Sequence, residues 1–307
     1  KNADIALYNA KSTGGATYSF FEPEMHARAQ ARRNLEVDLN NAIKNEELQL
    51  HVQPIVELET GRIKSCEALL RWQHPERGFV SPGEFIPVAE ETGAITEIGA
   101  FVMYQACQEC NRWPEDVSVS VNISAVQFYR SDVVAIVKDA LLRTGLSPKR
   151  LDIEITETAL LQDTSEVCAA LIKLQDYGVR VSLDDFGTGY SSLSYLHSLP
   201  LNKVKIDRSF IEGVAVETRS RTLLCGITRL SAELGLRVTV EGIETQEQLA
   251  LICRDNFIHE VQGYYFSRPL PAEKIRETLL THPVPGSSAH YDIELHAQER
   301  VPEAVAL

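Results

Sequence analysis

No apolar run in this 307-residue chain approaches the ~20 residues that a membrane-spanning helix needs. No membrane contact is therefore expected of this segment. Nothing at its start resembles a signal peptide, so a cytoplasmic setting is expected, with any tether to an inner membrane supplied by segments upstream. An excess of basic residues is missing as well: 30 Lys and Arg stand against 43 Asp and Glu, for a net charge of −13. That balance repels polyanions and argues against wrapping of DNA or RNA. A small anionic ligand is still admitted where metal ions or a local Arg or Lys reverse the field. Cysteine is sparse, with six residues scattered along the chain (Cys66, Cys107, Cys110, Cys168, Cys225, Cys253) and no disulfide framework, which fits reduced thiols. Cys107 and Cys110 form a lone C-x-x-C in AFVMYQACQECNRW. Helical periodicity and the lack of a second pair mark it as a core-facing helix rather than a zinc site, since structural zinc takes four ligands.

What is present is an alternation of short β-like runs with helical stretches. Strand candidates are 48–56, 62–70, 117–123, 151–156, 179–185, 203–207, 237–241 and 260–266. Helical patterns cover 96–112, 132–144, 164–177, 217–235, 245–255 and 271–280. Such alternation implies a parallel sheet, and eight strands suit a (β/α)8 barrel. The first two strands are joined by ELETGRI, too short for a crossover helix, so that pair should be antiparallel. The expected fold is α/β: a modified (β/α)8 TIM-like barrel with one antiparallel strand. Residues 25–45 read as a charged helix entering the barrel, and 283–307 as a loosely held tail with a short helix near its end.

Catalytic groups in such barrels sit at the strand ends of one face. Read in order, the strands offer Gln53, Glu67, Asn122, Glu154, the doublet Asp184-Asp185, Lys205, Glu241 and Gln262. Singly, Asn122 or Asp185 reads equally as a turn residue, Glu67 as a surface glutamate and Lys205 as a solvated strand residue. Together they place five carboxylates on one rim. Burying even one unpaired charge costs several kcal/mol, and Lys205 is a single cation. Divalent ions must supply the rest. An all-oxygen donor set without His or Cys favours magnesium or manganese. Two such ions ~4 Å apart, bridged by one carboxylate, are the usual device for attack of water on a phosphate ester. The loop FGTGYSS lacks a nucleotide-binding signature.

These residues lie in motifs that resemble the EAL domain family: QPI at 53–55, EALLRW from Glu67, VNIS at 121–124, EITE at 154–157, DDFGTGYSSL at 184–193, KIDRSFI at 205–211, EGIE at 241–244 and QGYYFSRPL at 262–270. The resemblance implies a phosphodiesterase that opens cyclic di-GMP to linear pGpG. It implies a first metal held by Glu67, Asn122, Glu154 and Asp184, and a second held by Asp184, Asp185 and Glu241. By the same resemblance Lys205 contacts the hydrolytic water, Glu241 helps to deprotonate it, Arg71 grips a substrate phosphate, and Gln53, Leu70 and Gln262 lie against the substrate. Pro87 falls in a loop lining the guanine pocket, and Glu157 anchors the 185–192 loop and couples metal occupancy to a homodimer. Two Mg2+ or Mn2+ ions are implied, with Ca2+ inhibitory. A receptor that binds cyclic di-GMP or a protein partner without cutting it is the alternative function. Phe257-Ile258-His259 departs from the Gly-Cys-Asp common in the family.

The opening ADIALYNAKSTGGATYSFF resembles the end of a GGDEF domain. The expected organisation is a GGDEF remnant at 1–24, an interdomain helix at 25–36, the EAL domain at 37–283 and a tail at 284–307, with GGDEF and sensory segments upstream.

Overall fold

The computed structural model describes residues 23–157, 164–187, 196, 199–214, 218–253 and 257–281. The expectations for residues 1–22, for the loop 188–195 and for 282–307 lie outside them. Among the described residues there are ten strands: β1 Leu48–Glu57, β2 Ile63–His74, β3 Gly78–Val80, β4 Ser118–Asn122, β5 Leu151–Thr156, β6 Arg180–Phe186, β7 Lys203–Ile206, β8 Arg237–Val240, β9 Glu260–Val261 and β10 Leu270–Pro271. The helices are α1 Pro23–Ala42, α2 Pro82–Thr92, α3 Ile95–Cys110, α4 Ala125–Arg130, α5 Val133–Thr144, α6 Thr164–Asp176, α7 Ser209–Glu212, α8 Thr218–Glu233, α9 Gln246–Ile252 and α10 Ala272–Thr281.

Seven strands (β2, β4, β5, β6, β7, β8, β9) pair in parallel in that order. β1 closes the ring by pairing antiparallel with both β2 and β9. The result is an eight-stranded barrel with one reversed strand, as the short β1–β2 connection requires. β3 extends β2 as a hairpin, and β10 adds to β1.

Alternation along each strand sorts the side chains. Val119, Val121, Ile153, Ile155, Val181, Leu183, Val204, Ile206, Val238 and Val240 are buried and alternate with a polar set. That set, which fills the barrel interior, is Ser65, Glu67, Ser120, Asp152, Glu154, Ser182, Asp184, Lys203, Lys205 and Thr239, also buried. Both faces of the sheet are thus covered, as a parallel sheet demands. Cys107 and Cys110 are fully buried on α3, and burial pushes both thiols up to about 12.

Three expectations need correction. The last strand candidate, 260–266, is a strand only at Glu260–Val261, because Gly263 begins a turn. A Cβ at Gly263 would lie 2.1 Å from the Ile243 carbonyl oxygen, so no other residue fits that crossing without displacement. Pro87, expected in a loop, lies inside α2. Proline is tolerated at the start of that helix, at Pro82, and the left-handed Gly93 stops it. The helices α2, α4 and α7 fall outside the helical patterns read from the sequence. α4 owes its start to a capping box in which the Ser124 hydroxyl accepts from Val126 N and Gln127 Oε1 accepts from Ser124 N.

α1 packs Leu35, Leu39 and Ala42 onto the barrel. Its Asp38 holds the buried His74 and Arg77 of the β2–β3 hairpin, and its Arg32 pairs with Glu91 of α2.

Candidate metal centre

Strand register brings the expected groups together. Gln53 on β1 stands opposite Glu67 on β2, and Asn122 on β4 stands beside Glu154 on β5. Lys205, wholly buried on β7, is at the centre. Its ammonium lies 2.7 Å from Glu241 Oε1, 3.0 Å from Glu154 Oε2, 3.1 Å from Asp184 Oδ1 and 3.3 Å from Glu67 Oε2. Asn122 donates its amide to Glu67 Oε1 at 2.8 Å. Gln262 donates to Glu67 Oε2 at 2.7 Å and to Gln53 Oε1 at 3.1 Å, and Gln53 donates to the Ser267 carbonyl.

The doublet at 184–185 has a backbone explanation. In a regular strand, neighbouring side chains point to opposite faces. Here the β6–β7 register shifts between Leu183 and Phe186, and Asp185 takes a left-handed φ of 53°. This bulge brings both carboxylates together with that of Glu241. Aspartate tolerates the left-handed region better than most residues with a side chain do, so the bulge costs little here.

The electrostatics are those of a crowded anion cluster. Burial opposes the charge of Lys205, but the surrounding carboxylates of Asp184, Glu154, Glu241 and Glu67 hold its pKa well above the usual lysine range. Burial, then repulsion from Asp184 and Glu67, pushes Glu241 up to about 8 against the pull of Lys205. Burial and the Asp184 and Asp207 carboxylates raise Asp185 to about 6. Burial drives Glu154 well above the carboxylate range, and Asp184 rises for the same first reason. Glu67 alone moves down: burial opposes this, but Lys205, Gln262 and Asn122 outweigh it. One ammonium does not balance these acids.

The donor set fits divalent cations. One carboxylate oxygen from each of Glu67, Glu154 and Asp184 lies within 4.8 Å of the others, and the same holds for Asp184, Asp185 and Glu241. Asp184 is common to both groups. Glu154 Oε1 is buried without a hydrogen-bond partner, the state of an oxygen that awaits a cation. The donors are all hard oxygens, suited to magnesium or manganese.

A cavity of about 280 Å³ opens over the cluster, lined by Gln53, Glu67, Asp185, Glu241 and Gln262 and also by Asp207, Arg208, Glu244 and Tyr264. Asp207 was missed in the sequence although it follows Lys205 by two residues, the spacing that returns a side chain to the same face of a strand. A second cavity of about 460 Å³ is lined by Leu70, Arg71, Asn122 and Thr156 and by apolar residues of α2, α3 and α4. Ile86 and Glu90 of α2, rather than the exposed Pro87, line it. Ser124, on this cavity, donates to Glu90 at 2.6 Å and so ties α2 to the end of β4. Glu157 is buried, and its carboxylate accepts from Gly187 N at the start of the Gly-Thr-Gly loop.

The EAL domain pattern matches residues 36–269. The chain is 41% identical over 278 residues to the bifunctional diguanylate cyclase/cyclic di-GMP phosphodiesterase MucR of Pseudomonas aeruginosa, covering 89% of this chain and 40% of that protein. It is 39% identical over 283 residues to the cyclic di-GMP phosphodiesterase NbdA of the same organism, covering 91% of this chain and 36% of that protein. The chain thus spans well under half the length of these relatives. Among solved structures, the PaMucR phosphodiesterase in complex with c-di-GMP superposes with a TM-score of 0.75 at 40% identity, covering 79% of this chain and 99% of that one.

Proposed function

Because this chain belongs to the EAL domain family, we propose that it is a metal-dependent phosphodiesterase that hydrolyses cyclic di-GMP to linear pGpG. The observation that carries the reading is the unbalanced cluster of five carboxylates, four of them in contact with Lys205, beside a cavity. The residues that would hold two Mg2+ or Mn2+ ions are Glu67, Asn122, Glu154 and Asp184 for one, and Asp184, Asp185 and Glu241 for the other. When bound, the ions supply charge neutralisation at the phosphate and activation of the attacking water.

The chain's own groups then divide the work. Arg71, which lines the larger cavity, grips a phosphate. Gln53, Leu70 and Gln262 complete the substrate contacts. Glu241, 2.7 Å from the Lys205 ammonium, takes a proton from water. Lys205 holds Glu241, Glu154, Asp184 and Glu67 in one arrangement and orients the water. Water oxygen bonds to phosphorus as the P–O3′ bond breaks, and the departing oxygen gains a proton, leaving a 5′-phosphate. Glu157, bonded to Gly187, anchors the following loop and links it to a homodimer.

Incubation with cyclic di-GMP and Mg2+ or Mn2+ should release pGpG. Binding without turnover in either metal would establish a receptor instead. Among the described residues no helix is long and apolar enough to cross a membrane. The division into 1–24, 25–36, 37–283 and 284–307, with a GGDEF domain upstream, completes the proposal.

A further inference from the structure

We propose that Tyr264 is a stacking platform for a guanine base of the substrate, and thereby a residue that selects a purine dinucleotide over other phosphodiesters. This rests on the cyclic di-GMP reading above. The run Tyr264-Tyr265-Phe266 follows Gln262 in the turn that ends β9, and its three rings have different surroundings. Phe266 is 8% exposed, and Tyr265 is partly buried against it, edge to face at 5.3 Å between centroids. Tyr264 is 50% exposed and lines the cavity above the carboxylate cluster. The packing of the barrel accounts for two of these rings and not for the third.

Two features prepare Tyr264 for a planar ligand. Its turn is rigid: Gly263 crosses the Ile243 backbone at a distance that admits no Cβ, and Tyr265 N donates to the Ile243 carbonyl at 2.9 Å. The ring is therefore presented with little conformational freedom left to lose on binding. Arg268 places its guanidinium 4.6 Å from the ring centroid. A cation over an aromatic ring is held by the ring's quadrupole, and it fixes the plane of the tyrosine for a second planar group. The position is also right: Tyr264 shares its cavity with Glu67, Asp185 and Glu241. A base resting on Tyr264 thus belongs to the same ligand whose phosphate reaches those acids. Guanine, a large fused ring, gains more from such a surface than a sugar or a small ester does.

The test compares wild type with Tyr264→Ala and Tyr264→Phe. Cyclic di-GMP binding is measured by calorimetry in Ca2+, and KM and kcat are measured in Mn2+. Loss of a base-stacking ring predicts a Kd and KM raised about ten-fold or more in Tyr264→Ala. The expected change in kcat at saturation is under about three-fold, because the acids and Lys205 are untouched. Tyr264→Phe keeps the ring and should stay close to wild type in both assays. Unchanged affinity in Tyr264→Ala, an equal loss in Tyr264→Phe, or a loss confined to kcat would each overturn the platform. Wild type that binds cyclic di-GMP but never cuts it defeats the phosphodiesterase reading and leaves the platform to be judged by Kd alone. Wild type that does not bind defeats both.

Discussion

Glu241 and Lys205 decide the chemistry at the scale of single residues. Replacing Glu241 by Gln removes both a cation ligand and the base, so kcat should fall by roughly 10²–10⁴, read in the pGpG assay. The pKa shifts give a second expectation. Glu241 and Asp185 are raised from their ordinary 4.5 and 3.8 to about 8 and about 6. The folded, metal-free protein therefore keeps protons that the unfolded chain gives up, and its stability falls as pH rises from about 4.5 to about 8. Divalent ions displace those protons, so Mn2+ should abolish the fall and raise Tm most at the upper end of that window. A metal-free Tm that climbs steadily from pH 5 to 8 would contradict this electrostatic picture. At this scale the sequence was informative because acids at successive strand ends have few structural uses. It was silent on Asp207, hidden as an ordinary strand-end aspartate.

Elements determine how those residues converge. The β6 bulge at Asp185 and the turn at Gly263 aim two strands' worth of ligands into one cavity. Gly263→Ala forces a Cβ against the Ile243 backbone, which costs about 1–3 kcal/mol of stability. Because Gln262 is adjacent, the substitution should also lower turnover in the protein that does fold, as thermal melts and the same assay will show. These devices were not legible beforehand. A bulge leaves no periodic trace, and an apolar-rich run such as EVQGYYF looks like a strand until the crossing at Ile243 is known. The helix α2 was passed over for a related reason: Pro82, Gly83 and Pro87 are breakers in isolation, yet Pro82 occupies the first turn, where its missing donor costs nothing. The long, strongly periodic segments, by contrast, fall within a few residues of the strands and helices found.

The whole molecule separates stability from function along the barrel axis. Two residues before Glu154, Lys205 and Gln262 in the chain lie Asp152, Lys203 and Glu260, all buried. Lys203 is 2.8 Å from Glu260 and 3.5 Å from Asp152. Burial opposes the ionisation of Glu260, but Lys203 and Arg237 pull its pKa down to about 2. This layer closes the N-terminal mouth, the face of such barrels that serves stability rather than chemistry. Lys203→Met takes the buried ammonium from Asp152 and leaves Glu260 with Arg237 and Thr239; it should cost about 3–5 kcal/mol, measured by denaturant titration, with the metal stoichiometry of the folded protein retained. The Glu260 pairing also adds stability that is complete above about 4.5 and lost as pH falls toward about 2. The barrel was readable from the alternation of strands and helices. The polar lower layer was not, because Asp152, Lys203 and Glu260 look like solvated strand residues until the ring closes around them.

The most direct measurement is diffraction at the manganese absorption edge from crystals soaked in Mn2+. Two anomalous peaks should appear, one among Glu67, Glu154 and Asp184 and the other among Asp184, Asp185 and Glu241. A map with no peak at the cluster, its acids still gathered around Lys205, would contradict the account.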